Sequence, residues 1–174
     1  MPTYVALLRG VNIGKRQLPS AALRAACEDA GCTEVQTYVQ SGNVVLRDNA
    51  RSAAAVQKKL AHQISAAAGF DVLVVVRTAK EMAAIVSANP YRKAAGKELH
   101  VAFLDAKPAK AKLAPLDAAA NGGEEYTVSG REIYLHLPNG MGTSKLGAAM
   151  SKLSLHATVR NWNTVTKLAD MAKG

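Results

Sequence analysis

A chain of 174 residues can bury one generous core or two small ones, and 49% hydrophobic residues supply the material. Twenty-two Lys and Arg against 13 Asp and Glu leave a net charge of +9, spread along the chain rather than gathered in a tail, which favours anionic partners. No apolar run approaches the ~20 residues that span a bilayer, and the chain enters Thr3-Tyr4-Val5 with no signal-peptide layout, so a cytoplasmic protein with no membrane partner is expected.

Thr3 to Leu8 reads as a β-rich run. Ser20 then opens a helix whose Leu23, Ala26, Cys27 and Ala30 share one face, ended by Gly31. Val35 to Gln40 and Val44 to Arg47 predict a hairpin around Ser41-Gly42-Asn43. Val56, Leu60 and Ile64 mark a long helix ending near Gly69, and Val72 to Val76 is a fully apolar strand. Thr78 and Glu81 form a capping-box pair for a connecting helix that Asn89-Pro90 stops. Beyond a polar link, Tyr91 to Lys97, the pattern resumes with a strand from Leu99 to Leu104. A weak helix follows around Leu113 and Leu116, where Pro115 breaks continuity. A hairpin from Tyr126 to Leu135, a helix from Ser144 to Leu153 and a strand from Ala157 to Arg160 complete the second half. A closing helix buries Val165, Leu168, Ala169 and Ala172.

The two halves echo one another. Tyr4-Val5-Ala6-Leu7-Leu8 returns as His100-Val101-Ala102-Phe103-Leu104, the Ser41-Gly42 hairpin as the Ser129-Gly130 hairpin, and Val76-Arg77 as Val159-Arg160. The order within each half, β-α-β-β-α-β, is the ferredoxin-like split arrangement. The expected fold is therefore α+β: a tandem duplication of that unit, antiparallel sheets with helices on one face, plus a C-terminal helix. Residues 1–90 form the first subdomain with the connecting helix, and residues 91–174 the second with the closing helix.

In this topology the end of strand one lies beside the strand two to three hairpin. Arg9, Asn12 and Lys15 should then share an edge with Gln40, Ser41 and Asn43, gathering donors around glycines at 10, 14 and 42. These residues could equally close loops, since Asn is a favoured turn residue. In the second half the opposite edge collects Ser144 and Lys145 with Arg160, Asn161, Trp162 and Asn163, and His136 just before them. This is the stronger sequence candidate. Thr143 or Ser144 can cap a helix whose N-terminus attracts an anion, Lys145 and Arg160 can supply charge, and the single tryptophan can stack on a ring. The alternative has Trp162 plugging the core, Asn161 or Asn163 capping the closing helix, and Arg160 holding carbonyls.

Several chemistries are excluded by spacing. Gly10 to Lys15 is one residue short of a Walker loop, and Arg16 stands where Ser or Thr should hold magnesium. His62, His100, His136 and His156 lack metal-ligand spacing, so no metal is expected, and no serine occupies a nucleophile elbow. Cys27 and Cys32 read as structural thiols. His136 lacks any legible partner for acid–base work, and no cofactor is implied.

Three strings, Tyr4-Val5-Ala6-Leu7-Leu8-Arg9-Gly10-Val11-Asn12, Thr37-Tyr38-Val39-Gln40-Ser41-Gly42-Asn43-Val44-Val45 and Ala157-Thr158-Val159-Arg160-Asn161-Trp162-Asn163-Thr164-Val165, resemble the bacterial family catalogued as domain of unknown function 1697. The resemblance covers essentially the whole chain. It implies a cytoplasmic α+β protein of two related subdomains, and no activity, catalytic residue or cofactor. Members often carry Gly-Gly-Lys after the first-loop Asn, where this chain has Ile13-Gly14-Lys15; the loop stays basic.

Three functions follow in order of support. The first is binding of a small phosphate- or carboxylate-bearing ligand, a nucleotide among them, at the polar loop edges. The alternative is RNA or DNA binding, motivated by the +9 charge and opposed by a scarcity of aromatics, five Tyr, two Phe and one Trp, for base stacking. A transferase using Lys145 or His136 comes last, because no nucleophile and base stand at legible spacing.

Overall fold

The computed structural model describes residues 1–39, 42–153 and 155–174. The first run of elements is β1 (Thr3–Arg9), α1 (Ser20–Asp29), β2 (Thr33–Tyr38), β3 (Asn43–Arg47), α2 (Ala53–Ala68), β4 (Leu73–Thr78) and α3 (Ala79–Ser87). The second is β5 (Leu99–Leu104), α4 (Ala114–Ala119), β6 (Glu125–Ser129), β7 (Glu132–His136), α5 (Lys145–Lys152), β8 (Ala157–Asn161) and α6 (Trp162–Lys173). The repeat thus extends one helix beyond β-α-β-β-α-β, because α3 and α6 occupy the same place in each run.

Two four-stranded antiparallel sheets result, ordered β2-β3-β1-β4 and β6-β7-β5-β8. The repeat holds residue by residue. Val5 lies opposite Val45 on one side and Arg77 on the other; Val101 lies opposite Tyr134 and Arg160. At the end of the first strand, the Leu8 amide donates to Gly42 O at 2.9 Å and the Leu104 amide to Arg131 O at 2.8 Å. The end of strand one and the hairpin therefore share an edge in both sheets, as the topology requires.

By contact the chain divides into one compact unit of Met1–Ala84 with Lys167–Gly174 and another of Ile85–Thr166. In the first, α1 and α2 bury Leu23, Cys27, Val56, Leu60 and Ile64 against Tyr4, Ala6, Leu8, Val44, Leu46, Val74 and Val76. In the second, Leu116, Leu146 and Met150 meet Ala102, Leu104, Ile133 and Leu135. The reverse sheet faces are not solvated either: Val5, Leu7, Val75, Val101 and Phe103 are fully buried. That accounts for strands that read as continuous apolar runs instead of alternating. In the second unit the end of α3 and the segment after it cover part of this reverse face, with Tyr134 Oη donating to Ile85 O at 2.7 Å and Tyr91 Oη bonded to Thr127 Oγ1 at 2.8 Å.

Local signals explain most helix ends. Thr78 Oγ1 accepts from Glu81 N while the Glu81 carboxylate accepts from Thr78 N, the reciprocal box the spacing predicts. Gly69 ends α2 at φ 80°. Pro115 behaves differently from its expected role. It sits in the first turn of α4, after a 3-10 turn over Lys110–Leu113, where a missing N–H breaks no bond and a fixed φ helps.

The two cysteines are buried in the first core. Burial, first of all, pushes both thiols up to about 12. Cys32 Sγ donates to Asp48 Oδ2 at 3.3 Å, the same carboxylate forms an ion pair with Lys59, and Asp48 Oδ1 accepts from Ala50 N at 2.6 Å. These bonds hold the turn between β3 and α2 and outweigh the desolvation that would raise the Asp48 pKa, so its carboxyl lies below the ordinary value.

The hairpin tie sets a sharp test. Gly42 sits at φ +78°, and a Cβ there would meet Leu8 Cβ at 2.7 Å and Val11 Cγ2 at 2.9 Å, whereas Gly130 at φ +58° opens onto empty space. Gly42→Ala should cost about 2–4 kcal/mol in urea unfolding, strain and overpacking together. Gly130→Ala should cost only about 1 kcal/mol. Equal losses would mean that close packing under the hairpin is unimportant.

Candidate functional site

At the first edge, β1 ends at Arg9 and the chain turns through three left-handed positions, Gly10, Asn12 and Gly14. Asn12 organises the loop. Its amide donates to Arg16 O at 2.6 Å and its side-chain Oδ1 accepts from Leu18 N at 2.9 Å. Arg16 clamps the loop from outside, donating from Nε to Gly10 O and from Nη2 to Asp71 O, both at 2.6 Å, with its guanidinium 4.3 Å above the Phe70 ring. Gln17 Nε2 donates to Gly14 O at 2.7 Å. Sequence reasoning took Arg16 only as a mismatch to a Walker loop; a clamp on a residue 55 positions away leaves no local signal.

The remaining first-edge candidates separate. Arg9 and Lys15 are exposed and Asn12 is half-buried. Asn43 is fully buried and donates from Nδ2 to Tyr38 O at 3.0 Å, stapling the hairpin. Gln40 and Ser41 lie outside the described residues. Beside the loop runs an open groove of about 360 Å³ lined by Asn12, Gln17, Leu18, Pro19 and Ser20. It ends on the first turn of α1, where Pro19 occupies the N-cap and, among the described residues, no side chain caps the helix.

The second edge is built otherwise. Leu99 lies opposite His136 and His100 opposite Asn161, so the loop after β7 and the end of β8 reach the same end of their sheet. Ser144 is buried and accepts from Gly147 N at 2.8 Å, capping α5. Asn161 Oδ1 accepts from Thr164 N at 2.9 Å, capping α6. The Asn163 amide lies against Gly96, where a Cβ has no room. Trp162 is half-buried, and Lys145 is exposed. Arg160 is only 9% exposed; its Nη1 donates to Thr158 Oγ1 at 2.6 Å and to Val159 O at 3.0 Å. Burial pushes its guanidinium down to about 10, still fully charged near neutrality.

His136 does have a partner. Its Nε2 lies 3.7 Å from Glu98 Oε2, and its ring stacks on Tyr91 with centroids 5.4 Å apart. Neither partner was legible, since Glu98 is 38 residues away and Tyr91 sits in the link. Nearby, His100 Nδ1 is buried without a hydrogen-bond partner among the described residues. No three His, Cys, Asp or Glu side chains gather to hold a metal ion among the described residues, and no helix there is long and apolar enough to cross a membrane.

A pattern emerges across the helix starts. Ser52, Thr78, Ser144 and Asn161 cap α2, α3, α5 and α6 with their side chains. The starts of α1 and of six-residue α4, which follow the first strand of each repeat, have no such cap. Among the described residues, α1 joins an uncapped first turn to an open polar groove, whereas the hollow beside the first turn of α5 meets a helix that Ser144 caps.

Comparison with known proteins places the chain. The model of the family described as "Protein of unknown function (DUF1697)" matches residues 1–134, and the chain belongs to that family. No curated protein matches it. Among solved structures it is similar to the conserved bacterial protein SP0830 from Streptococcus pneumoniae, at 20% identity and TM-score 0.79, over 100% of this chain and 99% of that one. That likeness extends the fold to both chains.

Two outcomes follow from the second edge. Arg160→Ala should destabilise the chain by about 2–4 kcal/mol in urea, because bonded strand partners and a packed stem are lost together; unchanged stability would return Arg160 to the ligand-gripping role. Burial holds the His100 imidazole below its ordinary 6.5, so the unfolded chain binds the proton more readily. Its contribution to stability is full above about 6.5 and is lost as pH falls below that toward the folded value. Unfolding at about pH 7.5 and about pH 5.5 should show this slope, and His100→Leu should flatten it.

Proposed function

We propose that this member of the DUF1697 family binds a small anionic ligand, bearing a phosphate or carboxylate, at the open start of α1. The observation that carries the reading is the uncapped first turn of α1 at the end of a polar groove. A helix N-terminus carries about half a positive charge and unpaired N–H groups, which bind oxyanions without further machinery. In each of the other long helices one of these donors is taken by the helix's own N-cap side chain.

Charge and rigidity support the same assignment. Arg9 and Lys15 are exposed on the loop that forms the groove, and the net +9 adds long-range attraction. Asn12 and Arg16 hold the loop in place, so little ordering is needed on binding. The groove's 360 Å³ suits a phosphorylated metabolite or a small carboxylate better than a stretch of nucleic acid.

The test is an amide-resolved NMR titration of the whole chain with pyrophosphate. Saturable shifts are expected at Gly14, Gln17, Ser20 and Ala21. Lys15→Ala should weaken binding about 3- to 10-fold, roughly 0.7–1.4 kcal/mol. Ser20→Asp should abolish it while stability holds or rises by about 0.5 kcal/mol, since the new carboxylate occupies the same field. Silence at these amides at about 10 mM ligand would sink the reading.

A further inference from the structure

We propose a second oxyanion site in the other unit, in the hollow of about 240 Å³ where β5 ends and β8 begins, with Lys107 as its exposed cation and Lys112 and His156 beside it as further donors. It lies at the edge of the sheet opposite Ser144 and Arg160, in a segment outside the resembling motifs. The ligand class is a phosphoryl group or similarly sized oxyanion, either free or at the end of a small metabolite.

The position is the repeat counterpart of the first groove. Leu104 is tied to its hairpin as Leu8 is, and the chain leaves β5 through Asp105–Ala109 as it leaves β1 through the Arg9–Pro19 loop. The walls are held on both sides. The Asp105 amide donates to His156 O at 3.0 Å, Lys112 N donates to Ala109 O at 3.0 Å, and Pro108 is buried beneath the turn. Leu104, fully buried, and Leu155 form an apolar floor that lowers the local dielectric and strengthens a cation–anion contact.

The means of attraction differ between the two units for a stated reason. α4 has six residues and starts with Ala114-Pro115, so its short turn offers little field. Charge must come from side chains: Lys107, exposed on the loop, supplies it, and Lys112, His156 and the Asp105 carboxylate also line the hollow. The heads of Lys107 and His156 are exposed and can turn inward. The volume is of the order of a phosphate or pyrophosphate, and the hollow opens to solvent, so a larger metabolite can seat its phosphorylated end there with the remainder outside.

The experiment is an amide-resolved titration of the whole chain with inorganic phosphate in one arm and a sugar phosphate in the other. Saturable shifts at Ala106, Lys107, Ala109 and His156 are expected, and Ser20→Asp should leave them intact. Lys107→Ala should weaken the loop response at least about fivefold, and Lys107→Glu should remove it with the rest of the spectrum unchanged. Saturation with inorganic phosphate at lower concentration assigns the site to the free ion; saturation with the sugar phosphate at lower concentration assigns it to a phosphorylated end. Loop shifts without shifts at Gly14, Gln17 and Ser20 would uphold this site and refute the α1 reading. Shifts confined to Gly14–Ser20, or loop shifts indifferent to Lys107→Glu, would overturn the second site.

Discussion

Everything that positions a functional group in this chain depends on the register of the first strand in each sheet. β1 lies between β3 and β4, and a slip of one residue would exchange Val5 and Leu7 for Tyr4, Ala6 and Leu8 on every packed face. The hairpin tie, Leu8 amide to Gly42 carbonyl, pins that register at the strand's end and does so where only glycine fits. Leu104 and Arg131 repeat the device. Because the pin sits one residue before the loop, it also fixes where Arg9 leaves the sheet and where Asp105 does.

From that origin the two ends of each sheet acquire different chemistry. At the end where the third and fourth strands finish, side chains of Ser52, Thr78, Ser144 and Asn161 close the helix starts. One donor at each start is taken, and a ligand using it would have to displace a bond worth about 1 kcal/mol. At the end where the first strand finishes, the helices start without side-chain caps; the loop after β1 carries Gly10 and Gly14, and the loop after β5 is lysine-rich with no glycine. A ligand there displaces only water. The duplicated unit thus presents one closed and one open end.

Much of this was legible because it is local. The strands, five of the helices and the Thr78–Glu81 box all lie in runs of fewer than about twenty residues, and binary pattern reports such runs well; the duplication showed because those local strings recur in the same order. The fold class followed from the order of the elements. Site chemistry was less legible because it depends on partners far apart. Nothing near Arg16 reveals Asp71 or Phe70, and nothing near His136 reveals Glu98. Arg160 read in two ways, as a ligand grip or as a holder of carbonyls. In sequence it is a cation beside Asn and Trp, yet alternation along β8 turns it to the face of Thr158, where strand partners take its guanidinium. The Asp105–Ala109 hollow could have been found by shifting the first loop onto its echo, which places Asp105 at the position of Arg9.

Arg77 and Arg160 sharpen the meaning of the net charge. They hold the same register position in the two sheets, opposite Val5 and Val101, and both are buried, at 1% and 9% exposure. Burying a guanidinium is costly unless its donors are bonded, so its repetition marks a structural requirement of the unit rather than a ligand contact. Arg16 is committed to two carbonyls and an aromatic ring. The formal +9 therefore overstates the cationic field available outside. The cations on the loops that leave the first strands, Arg9 and Lys15 in one repeat and Lys107 in the other, are exposed, and both proposed sites stand at that open end.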